Sequence, residues 1–188
     1  MKSINYIVVR LDEAYGNEVE LDSGDKFIVN STIESVKHIN RVAEVVASPD
    51  FTIVEKGDKV VVHHNIFRLR NNTKGNEIDS NYYLGDGLYI VPLTEVFMYK
   101  RDGDWMAIDP YCFVKPIQHT EEDLWSEVPV YKGRLHKVGV MAYPNRELME
   151  QGVKAGDTIR FSDYSEYEFV IGGELYYKMS TKDVLAVI

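Results

Sequence analysis

Gly156-Asp157-Thr158-Ile159-Arg160-Phe161 and, further on, Asp183-Val184-Leu185-Ala186-Val187-Ile188 decide the fold, because a diverged copy of the pair occurs earlier in the chain. There, Gly57-Asp58-Lys59-Val60-Val61-Val62 is followed by Thr94-Glu95-Val96-Phe97-Met98-Tyr99 in the same order. In both places a Gly-Asp turn launches a strand of alternating apolar residues, and a polar pair introduces a short closing strand. The sequence reads as two versions of one small β unit. Gly156 to Val184 spans 28 positions and Gly57 to Val96 spans 39, so the first version carries 11 additional residues. They are expected at about 68–87, a stretch rich in Asn, Gly and charge, as a hairpin insertion. Gly-Asp turns occur in many β proteins, so the spacing alone leaves a chance match open.

The 188 residues suffice for two units of about 80 to 110 residues, each able to bury a core of its own. A hydrophobic content of 45% argues against disorder, and 13 tyrosines against few Ala, Leu or Glu tracts favour strands. Net charge is −9, divided as −5 over residues 1–108 and −4 over 109–188, so neither half offers the basic face that nucleic acid requires. The single cysteine, Cys112, excludes an internal disulfide and a thiolate metal cluster. Its apolar setting, Tyr111-Cys112-Phe113-Val114, predicts a buried structural thiol. No apolar run approaches the roughly 18 residues of a membrane span, and the first residues, MKSINYIVVRLDE, lack the apolar stretch of a signal peptide. The expectation is a soluble cytoplasmic protein with no membrane and no nucleic-acid partner.

Along the chain, residues 4–11 alternate as a first strand. Residues 18–40 are not organised by alternation. They hold a polar lead-in through Ser23-Gly24-Asp25-Lys26, the apolar triplet Phe27-Ile28-Val29, and the polar Asn30-Ser31-Thr32. An apolar triplet within a long polar loop points to function, since loops of this length in compact domains are functional or disordered; residues 26–30 fit a further strand equally well. Strands are expected at 41–47, 59–67, 88–92, 96–100 and 105–108, with turns at Asn71-Asn72-Thr73-Lys74-Gly75-Asn76, Gly85-Asp86-Gly87 and Arg101-Asp102-Gly103-Asp104. Residues 111–117 open a second unit over 109–188, followed by an acidic loop at 118–131 that contains Leu124-Trp125, a strand at 132–140, and a helical turn or two at 146–152.

These residues resemble the GroES co-chaperonin family, the chaperonin 10-like proteins. Val153-Lys154-Ala155-Gly156-Asp157-Thr158-Ile159-Arg160-Phe161 is similar to the family's V-K-x-G-D-x-V-x-F strand. The tail from Tyr176 through Asp183-Val184-Leu185-Ala186-Val187-Ile188 is similar to its D-[IV]-L-A-[IV]-[IV] ending, and Gly133 to Gly139 to its G-x-V-x-x-V-G. In the first unit, Tyr6-Ile7-Val8-Val9-Arg10, Val42 to Ala47 and Val54 to Val60 resemble successive family strands, and Ser23 to Val29 falls where the family has a mobile loop with a hydrophobic tripeptide. The resemblance implies an all-β fold of two tandem GroES-like small β-barrels, units 1–108 and 109–188, the first with an enlarged hairpin. Such a tandem is known among organellar members and would suit a phage-encoded one.

The resemblance further implies a binding function: an oligomeric lid that docks on a GroEL-type chaperonin, which binds the ATP, and assists the folding of client proteins. Phe27, Ile28 and Val29 take the role of the chaperonin-binding tripeptide, with Gly24 as hinge in a mobile loop at about 18–40. Leu124 and Trp125 offer a second contact, although residues 118–131 lack the Gly-rich run. No cofactor, metal or catalytic residue is expected. His63 and His64, read as neighbours in a strand, point to opposite faces and cannot chelate together. His38, His119 and His136 lack a partner ligand at motif spacing. Gly85-Asp86-Gly87 lacks the third glycine and helix of a dinucleotide site. The alternative is a structural or adaptor protein, for example a phage virion component, that keeps the fold without chaperonin binding.

Overall fold

The computed structural model describes residues 2–11, 18–20, 26–28, 39–117 and 137–188. The strands in chain order begin with β1 (Ile7–Arg10), β2 (Glu18–Glu20), β3 (Lys26–Ile28), β4 (Val42–Ala47), β5 (Lys59–Val62), β6 (Arg70–Asn71) and β7 (Glu77–Ile78). They continue with β8 (Tyr83–Gly85), β9 (Leu88–Val91), β10 (Val96–Arg101), β11 (Asp104–Ala107), β12 (Tyr111–Pro116) and β13 (Val138–Tyr143). After the helix α1 (Arg146–Glu150) come β14 (Thr158–Phe161), β15 (Tyr167–Ile171), β16 (Glu174–Ser180) and β17 (Val184–Val187). The chain divides into two compact units, Met1–Asp104 and Trp105–Ile188. The fold is all-β apart from one short helix and a few 3-10 turns among the described residues.

Each unit is organised by one antiparallel sheet. In the first the order is β11-β10-β5-β4-β1-β9-β8, and in the second β15-β16-β12-β13-β14-β17. Read from the hairpin end, β8-β9-β1-β4-β5-β10 and β15-β16-β12-β13-β14-β17 are one connectivity. The agreement extends to irregularities. The partner of the opening strand is bulged, with an extra residue between Val45 and Ala47 opposite Val8 and Val9 in the first unit and between Met141 and Tyr143 opposite Phe113 and Val114 in the second. The closing strand is bulged between Val96 and Met98, and again where Phe161 meets Val184. Bulges re-aim a strand and are specific to their place in a sheet, and both irregularities fall at corresponding places in the two sheets.

The Gly-Asp turns show why those two residue types recur. Gly57 and Gly156 have φ of 95° and 92°, a region that side chains with a Cβ avoid. The next carboxylate closes the turn on itself: Asp58 accepts from the Glu55 N–H, and Asp157 from the Lys154 N–H, both at 2.8 Å. The turn is stitched to the neighbouring strand by Gly57 N–H to Val45 O and by Gly156 N–H to Met141 O, again both 2.8 Å. In the first unit Arg101 adds bonds to both Asp58 oxygens, at 3.0 and 2.7 Å. Burial pushes the Asp58 carboxyl up, but the Arg101 hydrogen bond, the Glu55 N–H and the Arg101 charge together hold it below the usual carboxylate range.

The cores correspond side chain by side chain. In the second unit Cys112, Val114, Met141, Val153, Ile159, Phe161 and Met179 pack as one buried cluster. The positions equivalent by register hold Ile7, Val9, Val45, Val54, Val60, Val62 and Val91, all buried. The apolar pattern is kept while individual shapes and sizes change, the second unit holding the larger side chains at Met141, Phe161 and Met179. The thiol of Cys112 is fully buried, and burial, with the nearby Asp183 charge, pushes it up to about 12, so it is an inert packing group as expected.

The units differ between the β5-type strand and the following hairpin. Val62 to Gly85 spans 23 positions, against 10 from Phe161 to Ile171. The additional residues form a 3-10 turn at His64–Ile66 and the small hairpin β6–β7. Asn72 tips that hairpin, its side chain accepting from the Lys74 and Asn76 N–H groups at 2.9 and 3.0 Å. The inserted residues thus end before β8, whereas residues 83–87, included in the expected 68–87, belong to a hairpin that both units share. Strand β5 also stops at Val62 rather than running to residue 67, because the His63 Nδ1 accepts the Asn65 N–H at 3.2 Å and caps the 3-10 turn instead.

Candidate functional site

A long excursion of the chain joins two neighbouring strands of the sheet in each unit, β1 and β4 in the first and β12 and β13 in the second. Both ends of the first excursion are fixed. Leu11 is buried and donates its N–H to Gly87 O at 2.9 Å. Gly87, at φ 70°, permits this approach, since a Cβ there would lie 2.8 Å from Leu11 O. On return, Ile39 is buried, the Asn40 side chain accepts from the Val42 N–H at 3.0 Å, and Arg41 O accepts from the Val62 N–H at 2.9 Å.

Within the excursion, β2 and β3 form a two-stranded sheet of their own, separate from the seven-stranded one. Val19 stands opposite Phe27, Glu18 opposite Ile28 and Glu20 opposite Lys26. Of the expected contact residues, Phe27 and Ile28 therefore lie on a paired strand, the alternative that the sequence left open for residues 26–30. Gly24, Val29, Leu124 and Trp125 lie outside the described residues, as do His38, His119 and His136.

The chemistry elsewhere is sparse. Among the described residues no group of three or more His, Cys, Asp or Glu is placed to hold a metal ion. The reading of His63 and His64 as strand neighbours on opposite faces is corrected by the structure: with the backbone turning after Val62, their rings come together, centroids 4.2 Å apart and tilted by 31°. His64 is held neutral, its pKa lowered to about 4 by burial and then by the positive charges of His63, Arg41 and Arg68. The His63 Nδ1 lies 4.0 Å from a Glu95 oxygen. Sequence reasoning missed this crowding of cationic groups because it depends on where β5 ends. A signal was present in His63-His64-Asn65, whose polar side chains can cap a turn.

No helix of the described residues is long and apolar enough to cross a membrane. The closing strand of the second unit is introduced by a capping box, in which Ser180 N–H donates to Asp183 at 3.1 Å, and Asp183 also receives the Ser162 hydroxyl at 3.2 Å. Asp183 is the polar residue that opens the final D-V-L-A-V-I, so the motif's first letter has a structural task.

Compared with known proteins, residues 126–188 match the family model of the chaperonin 10 kDa subunit. The match takes in β13, α1 and β14 to β17, that is, the Gly-Asp turn, the shared hairpin and the closing strand of the second unit. A search of curated proteins finds no match to the chain. The matching family consists of non-enzymatic co-chaperonins. Over residues 126–188, then, the chain is similar to the GroES-like chaperonin 10 kDa family.

Proposed function

We propose that the protein is a tandem co-chaperonin, an oligomeric lid that binds a GroEL-type chaperonin through the β1–β4 excursion and assists ATP-dependent folding in the cytoplasm. One observation carries this reading: the first unit repeats, bulge for bulge, the sheet of the unit that matches the family, and opens its long excursion at the equivalent point. Phe27, Ile28 and Val29 are the apolar contact and Gly24 the hinge. A two-stranded ladder of three residue pairs is marginal in water by itself, which suits a segment that gains its stability on docking. Ordering such a segment costs free energy, so one contact is weak and reversible, while several on one oligomer add through effective concentration. Residues 118–131, with Leu124 and Trp125, are the corresponding segment of the second unit and supply a second contact.

The test is a pull-down with a GroEL-type chaperonin and nucleotide, comparing wild type with Phe27→Ser, Ile28→Ser and Val29→Ser combined. Retention of wild type and loss of the triple variant is the expected result; equal retention would remove the contact. The pairing of Phe27 and Ile28 in β3 favours one second reading, a structural or adaptor protein, such as a phage virion component, in which this hairpin is permanent. In that case hydrogen exchange over 18–28 is slow in the free protein and unchanged by chaperonin.

A further inference from the structure

The residues that the first unit has in excess of the second build a cleft. Leaving the 3-10 turn, the chain runs along β6, reverses at Asn72–Asn76 and returns past Asn81. Asn65, Arg68, Arg70 and Asn71 on the outgoing leg, with Asn81 and Tyr82 on the return, line a hollow of about 410 Å³. Ser80, buried where the legs meet, ties them: its hydroxyl donates to Asn65 O at 3.5 Å and accepts the Tyr82 N–H at 3.2 Å. The Arg70 guanidinium reaches the main-chain carbonyl of Asp79 at 3.5 Å, which directs it along the same leg.

The lining is chemically one-sided. It contains two guanidiniums, three side-chain amides and two hydroxyls, and no carboxylate side chain. The chain as a whole carries −9, so this hollow stands against the average charge of the molecule. His64, one residue before Asn65 of the lining, is held neutral first by burial and then by the charges of His63, Arg41 and Arg68. Guanidinium forks bind phosphate oxygens with short, charge-assisted bonds, and amides complete such a shell as donors. The volume lies in the range of small-molecule sites, far larger than an inorganic anion needs. Leu69 and Tyr82 supply apolar wall.

We propose that the inserted segment of the first unit is a binding site for a phosphate-bearing small molecule of nucleotide size, with its phosphoryl oxygens on Arg68 and Arg70 and its organic part against Leu69 and Tyr82. This site does not depend on the chaperonin reading, since it lies in residues that the second unit lacks.

The experiment is calorimetric titration of the full chain with AMP and, separately, with inorganic phosphate, together with hydrogen-exchange mass spectrometry of peptides covering 65–71 and 80–82. AMP is expected to bind more tightly than phosphate, to weaken as salt is raised, and to protect those peptides. Arg70→Gln, an exposed change on β6, is expected to weaken AMP about tenfold with an unchanged thermal midpoint, the loss of one charge-assisted bond. Arg68→Gln with Arg70→Gln is expected to abolish binding. Because Arg68 also has partners within the protein, the single Arg70 variant is the decisive one. No binding of AMP at millimolar concentration, phosphate binding as tightly as AMP, or AMP affinity unchanged in Arg70→Gln would each overturn the proposal.

Discussion

Gly139→Ala asks whether the core of the second unit is packed as described. Gly139 lies on β13, paired with Pro116 on one side and Ile159 on the other. A Cβ at this position would lie 2.4 Å from Val114 Cγ1, 2.9 Å from Lys115 O and 3.5 Å from Phe161 Cε1. Val114 can rotate away, but the Lys115 carbonyl is part of the β12–β13 ladder and moves only with the backbone. The first unit holds a different pair of residues at this place. Its equivalent residue is Ala43, paired with Val60 as Gly139 is with Ile159, and the residue equivalent to Phe161 is Val62. Glycine plus phenylalanine in one copy replaces alanine plus valine in the other. Overpacking of this kind costs about 1–3 kcal/mol, and a backbone clash belongs at the upper end, about 2–3 kcal/mol. With a urea m-value of about 2 kcal/mol/M, the midpoint for the second unit falls by about 1 M. A Gly139→Ala protein within about 0.5 kcal/mol of wild type would refute this account of the packing.

Asn145 is fully buried, donates to Thr181 Oγ1 at 2.7 Å and accepts the Leu148 N–H at 3.0 Å, capping α1 while holding the turn before β17. Asn145→Ala is expected to cost about 1–3 kcal/mol in denaturant unfolding, since Thr181 and the helix terminus both lose a partner; a loss under about 0.5 kcal/mol would count against that role. His64 has a folded pKa near 4, below its unfolded value of about 6.5. Between these values the unfolded chain binds a proton that the native state does not, so stability falls as pH is lowered from about 6.5 to about 4. His64→Gln should flatten unfolding free energy against pH in that window, and an unchanged slope would show that His64 is not held neutral.

Much of the architecture was legible in residues 57–62, 94–99, 156–161 and 183–188, because a Gly-Asp turn and an alternating strand are local devices. Glycine at positive φ, a carboxylate reaching back three residues and a period of two need no distant partner to be recognised. The turns at 71–76, 85–87 and 101–104 and the short helix at 146–150 were equally readable, each from residues that satisfy their own backbone. For the same reason the contact triplet could be singled out only through resemblance. Nothing local distinguishes an apolar triplet awaiting a partner from one already in a strand, and β2–β3 pairing joins Val19 to Phe27 across residues whose pattern is irregular.

By itself, then, the sequence determined the β class and the family likeness of the last third, both of which rest on spacing and local backbone preference. Only the tertiary structure decided that the two sheets share their bulges, that β5 yields to a 3-10 turn so that His63 and His64 meet, and that Arg68, Arg70 and Tyr82 surround one hollow. Those facts depend on register between strands remote in the chain. Register is set by which side chains fill a common core, and a one-dimensional pattern does not contain that information.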